Sequence, residues 1–87
     1  MYYFYILQSI KNGKLYLGYT PNLKERLKNH NNGENRATKP NIPYKLVYYS
    51  AFKSKIDALE CEKYFKTTSG WRRIKNMLKN TLTNSLK

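Results

Sequence analysis

Several things are scarce in this chain, and each scarcity excludes something. A single cysteine, Cys61, cannot form an internal disulfide, and one cysteine with one histidine, His30, cannot build a zinc cluster. A reducing, cytoplasmic compartment is the default expectation. The longest apolar run is Tyr2–Leu7, far short of the roughly 20 residues that cross a bilayer, so no membrane span is expected. Met1 leads into that run without a basic n-region or cleavage site, so no secretory signal is read. Acidic residues are scarce too: 5 Asp+Glu face 17 Lys+Arg, a net charge of +12 at pH 7. Folding does not require such an imbalance and self-repulsion opposes it, so a polyanionic partner is implied. What is abundant is aromatic: 15% of the chain, with nine tyrosines. Eighty-seven residues, 40% of them hydrophobic, suffice for one small domain, here read as residues 1–80 with a polar basic tail over 81–87.

Aromatic and β-branched residues over Tyr2–Ser9 read as a strand, Asn12-Gly13 as a two-residue hairpin turn, and Leu15–Tyr19 as the returning strand. Pro21 and an Asn22/Glu25 capping pair open a helix that Asn32-Gly33 closes. Residues 32–43, polar and containing Pro40 and Pro43, read as a loop, and Tyr44–Ser50 as a third strand. Ser54 with Asp57 starts a helix to about Lys66, Ser69-Gly70 breaks it, and Trp71–Leu82 forms a last helix whose Trp71, Ile74, Leu78 and Leu82 share one stripe. The order β-β-α-β-α-α predicts an α+β fold: a small three-stranded antiparallel sheet flanked by helices.

Polar residues on apolar faces are the informative ones. At about 100° per residue, Arg26 and His30 fall on the stripe of Leu23 and Leu27. On the later helix Glu62 lies amid Ala58, Cys61 and Phe65, whereas Glu60 points outward. An inward Arg needs an anion, or else packs its stem and lifts its head into water. An inward Glu must be paired, with Arg26 or a lysine, or hold a metal. If the turn has two residues, Tyr5, Leu7 and Ser9 share a sheet face with Tyr16, Gly18 and Thr20. Gly18 weakens a strand and marks a close approach.

The residues Tyr3-Phe4-Tyr5-Ile6-Leu7, Leu15-Tyr16-Leu17-Gly18, Asn22 through His30, and Glu62-Lys63-Tyr64-Phe65-Lys66, in this order and spacing, resemble the GIY-YIG nuclease family, in particular its stand-alone, single-domain bacterial members. The likeness runs from Tyr2 to about Arg73. It implies Tyr5, Tyr16, Arg26, His30 and Glu62 as the catalytic set, with Glu62 holding one Mg²⁺ or Mn²⁺ ion. The first motif lacks its Gly and Ile, and Leu17 replaces an Ile. Asn76 is the nearest match to a late Asn found in some members.

The resemblance implies metal-dependent hydrolysis of DNA phosphodiesters. In that scheme Arg26 binds the non-bridging oxygens, Tyr16 is the favoured base, and Tyr5 or His30 orients it or relays a proton. Arg26, the metal and the basic field are expected to stabilise a phenolate. From Lys63 onward there are seven basic residues and no acidic ones. Gly18, Arg36, Lys39, Lys66, Arg72 and Arg73 are read as nucleic-acid contacts that track phosphates without reading bases. Weak sequence specificity is expected, with a preference for nicks, ends or branched DNA of the kind met in repair. No obligate protein partner is inferred. A catalytically silent nucleic-acid-binding module of the same fold is the alternative, and RNA is the other candidate polyanion. Trp71 can stack on a base or complete the core; its helical spacing favours the core.

Overall fold

The computed structural model describes residues 1–85. Three strands, β1 (Tyr2–Ser9), β2 (Leu15–Thr20) and β3 (Tyr44–Phe52), form one antiparallel sheet in the order β2-β1-β3. Helix α1 (Leu23–Asn31) follows β2; α2 (Lys55–Phe65), α3 (Thr68–Met77) and α4 (Lys79–Ser85) follow β3. A short 3₁₀ turn spans Lys39–Asn41. The predicted α+β class and element order hold.

β1 is the central strand, and it is buried on both faces because helices cover both. Phe4 and Ile6 join Leu17, Phe65, Ile74 and Leu78 in one core, with Trp71 and Leu82 packed against it. Phe4 and Phe65 stack with ring centres 5.0 Å apart. Tyr5 and Leu7 point the other way, toward Tyr44, Tyr16, Leu23 and Leu27 of the second core. This two-sided burial explains why β1 reads as a continuous apolar run rather than an alternating one. Trp71 takes the core role that its spacing predicts.

The hairpin differs from the two-residue turn. Ser9 N donates to Lys14 O, Gly13 N donates to Ser9 O, and only Gly13 has a positive φ, +78°. The loop is therefore four residues, Ile10–Gly13, with the Ser9 hydroxyl accepting from the Lys11 and Asn12 amides. The register becomes Tyr5↔Gly18 and Leu7↔Tyr16, shifted by two residues from the expected pairing. A shift of two preserves the alternation of faces, so Tyr5, Tyr16 and Gly18 share one side as predicted.

Two further expectations are corrected. Ser69-Gly70 does not interrupt a helix: Thr67 caps α3, its hydroxyl accepting from Gly70 N. Gly70 is there for space, since a Cβ would run into the Tyr64 carbonyl oxygen and the Phe65 backbone. The single last helix is two, broken at Leu78, so the boundary drawn at residue 80 falls inside α4, whose Leu82 reaches the core. The last two residues of the expected basic tail lie outside the described residues. Asn22 and Ser54 cap their helices as predicted, accepting from Glu25 N and Asp57 N. Glu25 does not close the capping box, because Thr20 Oγ1 accepts from Asn22 N instead.

Candidate active site

The site begins with a missing side chain. Gly18 lies opposite Tyr5 on the edge strand β2, and the space of its absent Cβ is filled by the Tyr5 ring, with Cζ, Oη and Cε1 nearest. The close approach at Gly18 is thus made by Tyr5 and not by a nucleic acid; Gly18 is buried, which corrects its reading as a binding contact. By lying across Gly18, the Tyr5 phenol reaches from the central strand to the edge of the sheet, where α1 and α2 can both address it.

Tyr5 is wholly buried, and its Oη lies 2.9 Å from Nε2 of His30 on the last turn of α1. His30 is also wholly buried, and its Nδ1 lies 2.8 Å from Oγ1 of Thr38, a third fully buried residue. Thr38 Oγ1 donates in turn to the Asn35 carbonyl at 3.4 Å. Burial, then the charge of Arg26, pushes the His30 pKa below its ordinary 6.5, so the ring is neutral at neutral pH. Burial, reinforced by Tyr16, pushes Tyr5 up to about 12, although Arg26 acts in the opposite sense. Arg26 therefore does not make Tyr5 a phenolate, because desolvation outweighs it. Neither Tyr5 nor His30 is exposed at the surface, a placement compatible with the orienting or relaying part expected of them.

One side chain packs on this buried pair and two more act on it by charge. The Tyr16 ring packs 5.0 Å from His30 and 6.5 Å from Tyr5, and it is half-buried. Arg26, one helical turn before His30, acts on the Tyr5 phenol with its positive charge, which opposes the upward shift. It is half-buried and lines a shallow surface depression with Thr20, Asn22 and Asn29. Glu62 of α2 acts on the same phenol with its negative charge. Its side chain is 20% exposed and pairs with Lys66 through Oε2 at 3.0 Å. Among the described residues Glu62 makes no ion pair with Arg26. The inward Glu is therefore paired with a lysine, in an i,i+4 pair at the surface, and the two buried-face charges are not locked together.

The basic residues spread around this centre. Arg36 and Lys39 are exposed in the segment between α1 and β3. Arg72 and Arg73 are exposed on α3, lining one depression with Tyr64 and Asn76. Thr38 carries no signal in the sequence: it lies in the polar loop over residues 32–43, and nothing in a lone Thr indicates that it will meet His30. Asn31 was likewise missed: its side chain bonds Tyr44 N and O, tying the end of α1 to the start of β3.

The model of the GIY-YIG catalytic domain matches residues 1–76. The chain belongs to the GIY-YIG family. That membership carries the activity class of the family, nuclease-type hydrolysis of phosphodiesters. Similar curated proteins include a UPF0213 protein of Bacillus licheniformis, 45% identical over 69 residues (78% of this chain, 70% of the relative). A UPF0213 protein of Pediococcus pentosaceus is 40% identical over 86 residues (95% and 90%). One from Streptococcus agalactiae is 43% identical over 65 residues (74% and 73%). These names state no activity. No solved structure matches the chain. No helix among the described residues is long and apolar enough to cross a membrane.

Proposed function

We propose that this GIY-YIG protein is a divalent-metal-dependent DNA endonuclease of low sequence specificity, acting on nicks, ends or branches of the kind met in repair. The observation that carries this reading is that Tyr16 packs beside the Tyr5 phenol while the charges of Arg26 and Glu62 both reach it, in a chain of net charge +12. Phosphodiester hydrolysis is slow because the anion repels its nucleophile and the leaving alkoxide is poor. Arg26 answers the first difficulty: its guanidinium is always charged and offers a fork of donors to the non-bridging oxygens. Tyr16 is the phenol of the pair that is only half-buried, and it takes the proton of the attacking water. Tyr5 remains a neutral phenol and holds its neighbours in register.

Glu62 fits a hard divalent cation. It is a single carboxylate, one-fifth exposed, with Oε1 not engaged in its ion pair and solvent at hand to complete an oxygen shell. Among the described residues no group of three or more ligands forms a closed cage, which suits an ion that keeps most of its waters. When bound there, Mg²⁺ or Mn²⁺ would supply stabilisation of the charge that develops on the leaving oxygen. Exposed Lys39, Arg36, Arg72 and Arg73 supply the sequence-independent hold on backbone phosphates.

The test is cleavage of supercoiled plasmid, branched DNA and matched RNA with Mg²⁺, Mn²⁺ or chelator. Metal-dependent nicking of DNA, abolished in Glu62→Gln and Arg26→Ala while DNA binding persists, is the expected result. Binding without cleavage under every metal would leave a silent binding module. Preferential cleavage of RNA would move the substrate to RNA.

A further inference from the structure

The buried chain of hydrogen bonds behind the site has a direction, set at one end. There stands the Asn35 carbonyl, which can only accept. Each group that follows, the Thr38 hydroxyl, the neutral His30 ring and the Tyr5 phenol, has one proton to give. Thr38 spends its proton on Asn35, so its oxygen accepts from His30 and Nδ1 carries the ring proton. Nε2 is then bare and accepts from the Tyr5 hydroxyl. Tyr5 in turn has only lone pairs left to offer to its other neighbours. If the ring carried its proton on Nε2 instead, bare Nδ1 would face the Thr38 oxygen, acceptor against acceptor, and the Tyr5 proton would lose its place on His30.

We propose that Thr38 is a positioning residue of this site: through its bond to Nδ1 it selects the His30 tautomer that accepts from the Tyr5 hydroxyl, and so fixes the phenol and imidazole against which Tyr16 packs.

The segment that brings Thr38 there is built as a strut. Asn35 closes the turn around Thr38, its carbonyl accepting from the Thr38 and Lys39 amides and its Oδ1 from Ala37 N. Beyond Thr38 the chain is fastened to the β1–β2 loop: Ser9 Oγ donates to Asn41 O, Asn12 Nδ2 to Asn41 Oδ1 at 2.7 Å, and Ile10 N to Pro43 O. Thr38 is wholly buried, so its hydroxyl faces His30 and not solvent.

This inference rests on the nuclease reading for its effect on rate, but the tautomer can be read without any activity. His30 is the only histidine of the chain, so heteronuclear NMR of its ring is unambiguous, and protonated and bare ring nitrogens resonate far apart. The expected result is a proton on Nδ1 in the wild type, a shift toward Nε2 in Thr38→Val, and the wild-type pattern restored in Thr38→Ser. In cleavage, Thr38→Val should lower kcat by about tenfold or more with KM little changed, and Thr38→Ser should recover it. A wild-type proton on Nε2, or an unaltered ring in folded Thr38→Val, overturns the proposal, as does an altered tautomer with unchanged kcat. Should Thr38→Val not fold, the wild-type tautomer decides alone. Absence of cleavage by the wild type would count against the nuclease reading and leave the NMR result to judge Thr38.

Discussion

Replacing Gly18 with alanine adds one methyl group where the Tyr5 ring already lies. An ideal Cβ at residue 18 would stand 2.8 Å from Tyr5 Cε1, with Cζ and Oη nearer still, against 3.4–4 Å for ordinary contact. The ring has nowhere to go: it is fully buried, flanked by Tyr16 and bonded to His30. Overpacking of this kind costs about 1–3 kcal/mol. Pushing Oη off Nε2 would strand a buried imidazole nitrogen for a further ~1–3 kcal/mol. Alanine returns about 0.5–1 kcal/mol of backbone entropy in a strand. The balance is a loss of roughly 3 kcal/mol. Urea unfolding at neutral pH measures it as a lower midpoint with an unchanged slope. Tyr5→Phe removes one of the nearest atoms, so the double variant should lose less than the sum of the two single ones. A Gly18→Ala protein within about 0.5 kcal/mol of wild type, or more stable, would refute the claim that Tyr5 occupies that space.

Glu62→Gln should abolish cleavage yet change stability by no more than ~1 kcal/mol, because its pair with Lys66 is a surface pair; a loss of several kcal/mol in urea unfolding would mean a buried structural partner instead. Tyr5 ionises near 10 in the unfolded chain and at about 12 in the fold, so its contribution is whole below pH 10 and is lost as pH rises to 12. That loss amounts to roughly 3 kcal/mol, and Tyr5→Phe should flatten the alkaline limb of a stability–pH curve. His30 has the opposite sign: its pKa is lowered in the fold, so stability is whole above pH 6.5 and falls as pH drops below it, which melting temperatures from pH 8 to 5 would record. Arg72→Gln and Arg73→Gln, each of which removes one positive charge, should weaken DNA binding regardless of sequence and reduce its salt slope by about 1; an unchanged slope would remove α3 from the interface.

The sequence by itself settled what depends on neighbours along the chain. Asn22 and Ser54 cap their helices because capping is a contact over three residues. The phase of α1 puts Arg26 and His30 on one stripe, and alternation puts Tyr5, Tyr16 and Gly18 on one sheet face even though the turn is longer than Asn12-Gly13 suggests, since a shift of two leaves the faces alone. Spacing and order also sufficed for the family. Local signals failed where a distant element decided. Ser69-Gly70 looks like a break, yet Gly70 sits in the first turn of α3 because Tyr64 and Phe65 leave no room for a Cβ.

Which of the inward polar groups meet each other was the part only tertiary structure decided. That Glu62 makes no ion pair with Arg26 is one case, since no periodicity along one helix reports a distance between two. The same holds for Tyr5: Arg26 lowers its pKa, but burial, a property of the whole assembly, raises it further and wins. Thr38 is the extreme case. It reaches His30 across a polar loop without pattern, through bonds whose partners lie up to 32 residues apart in the chain, and such pairing is written in the folded packing alone.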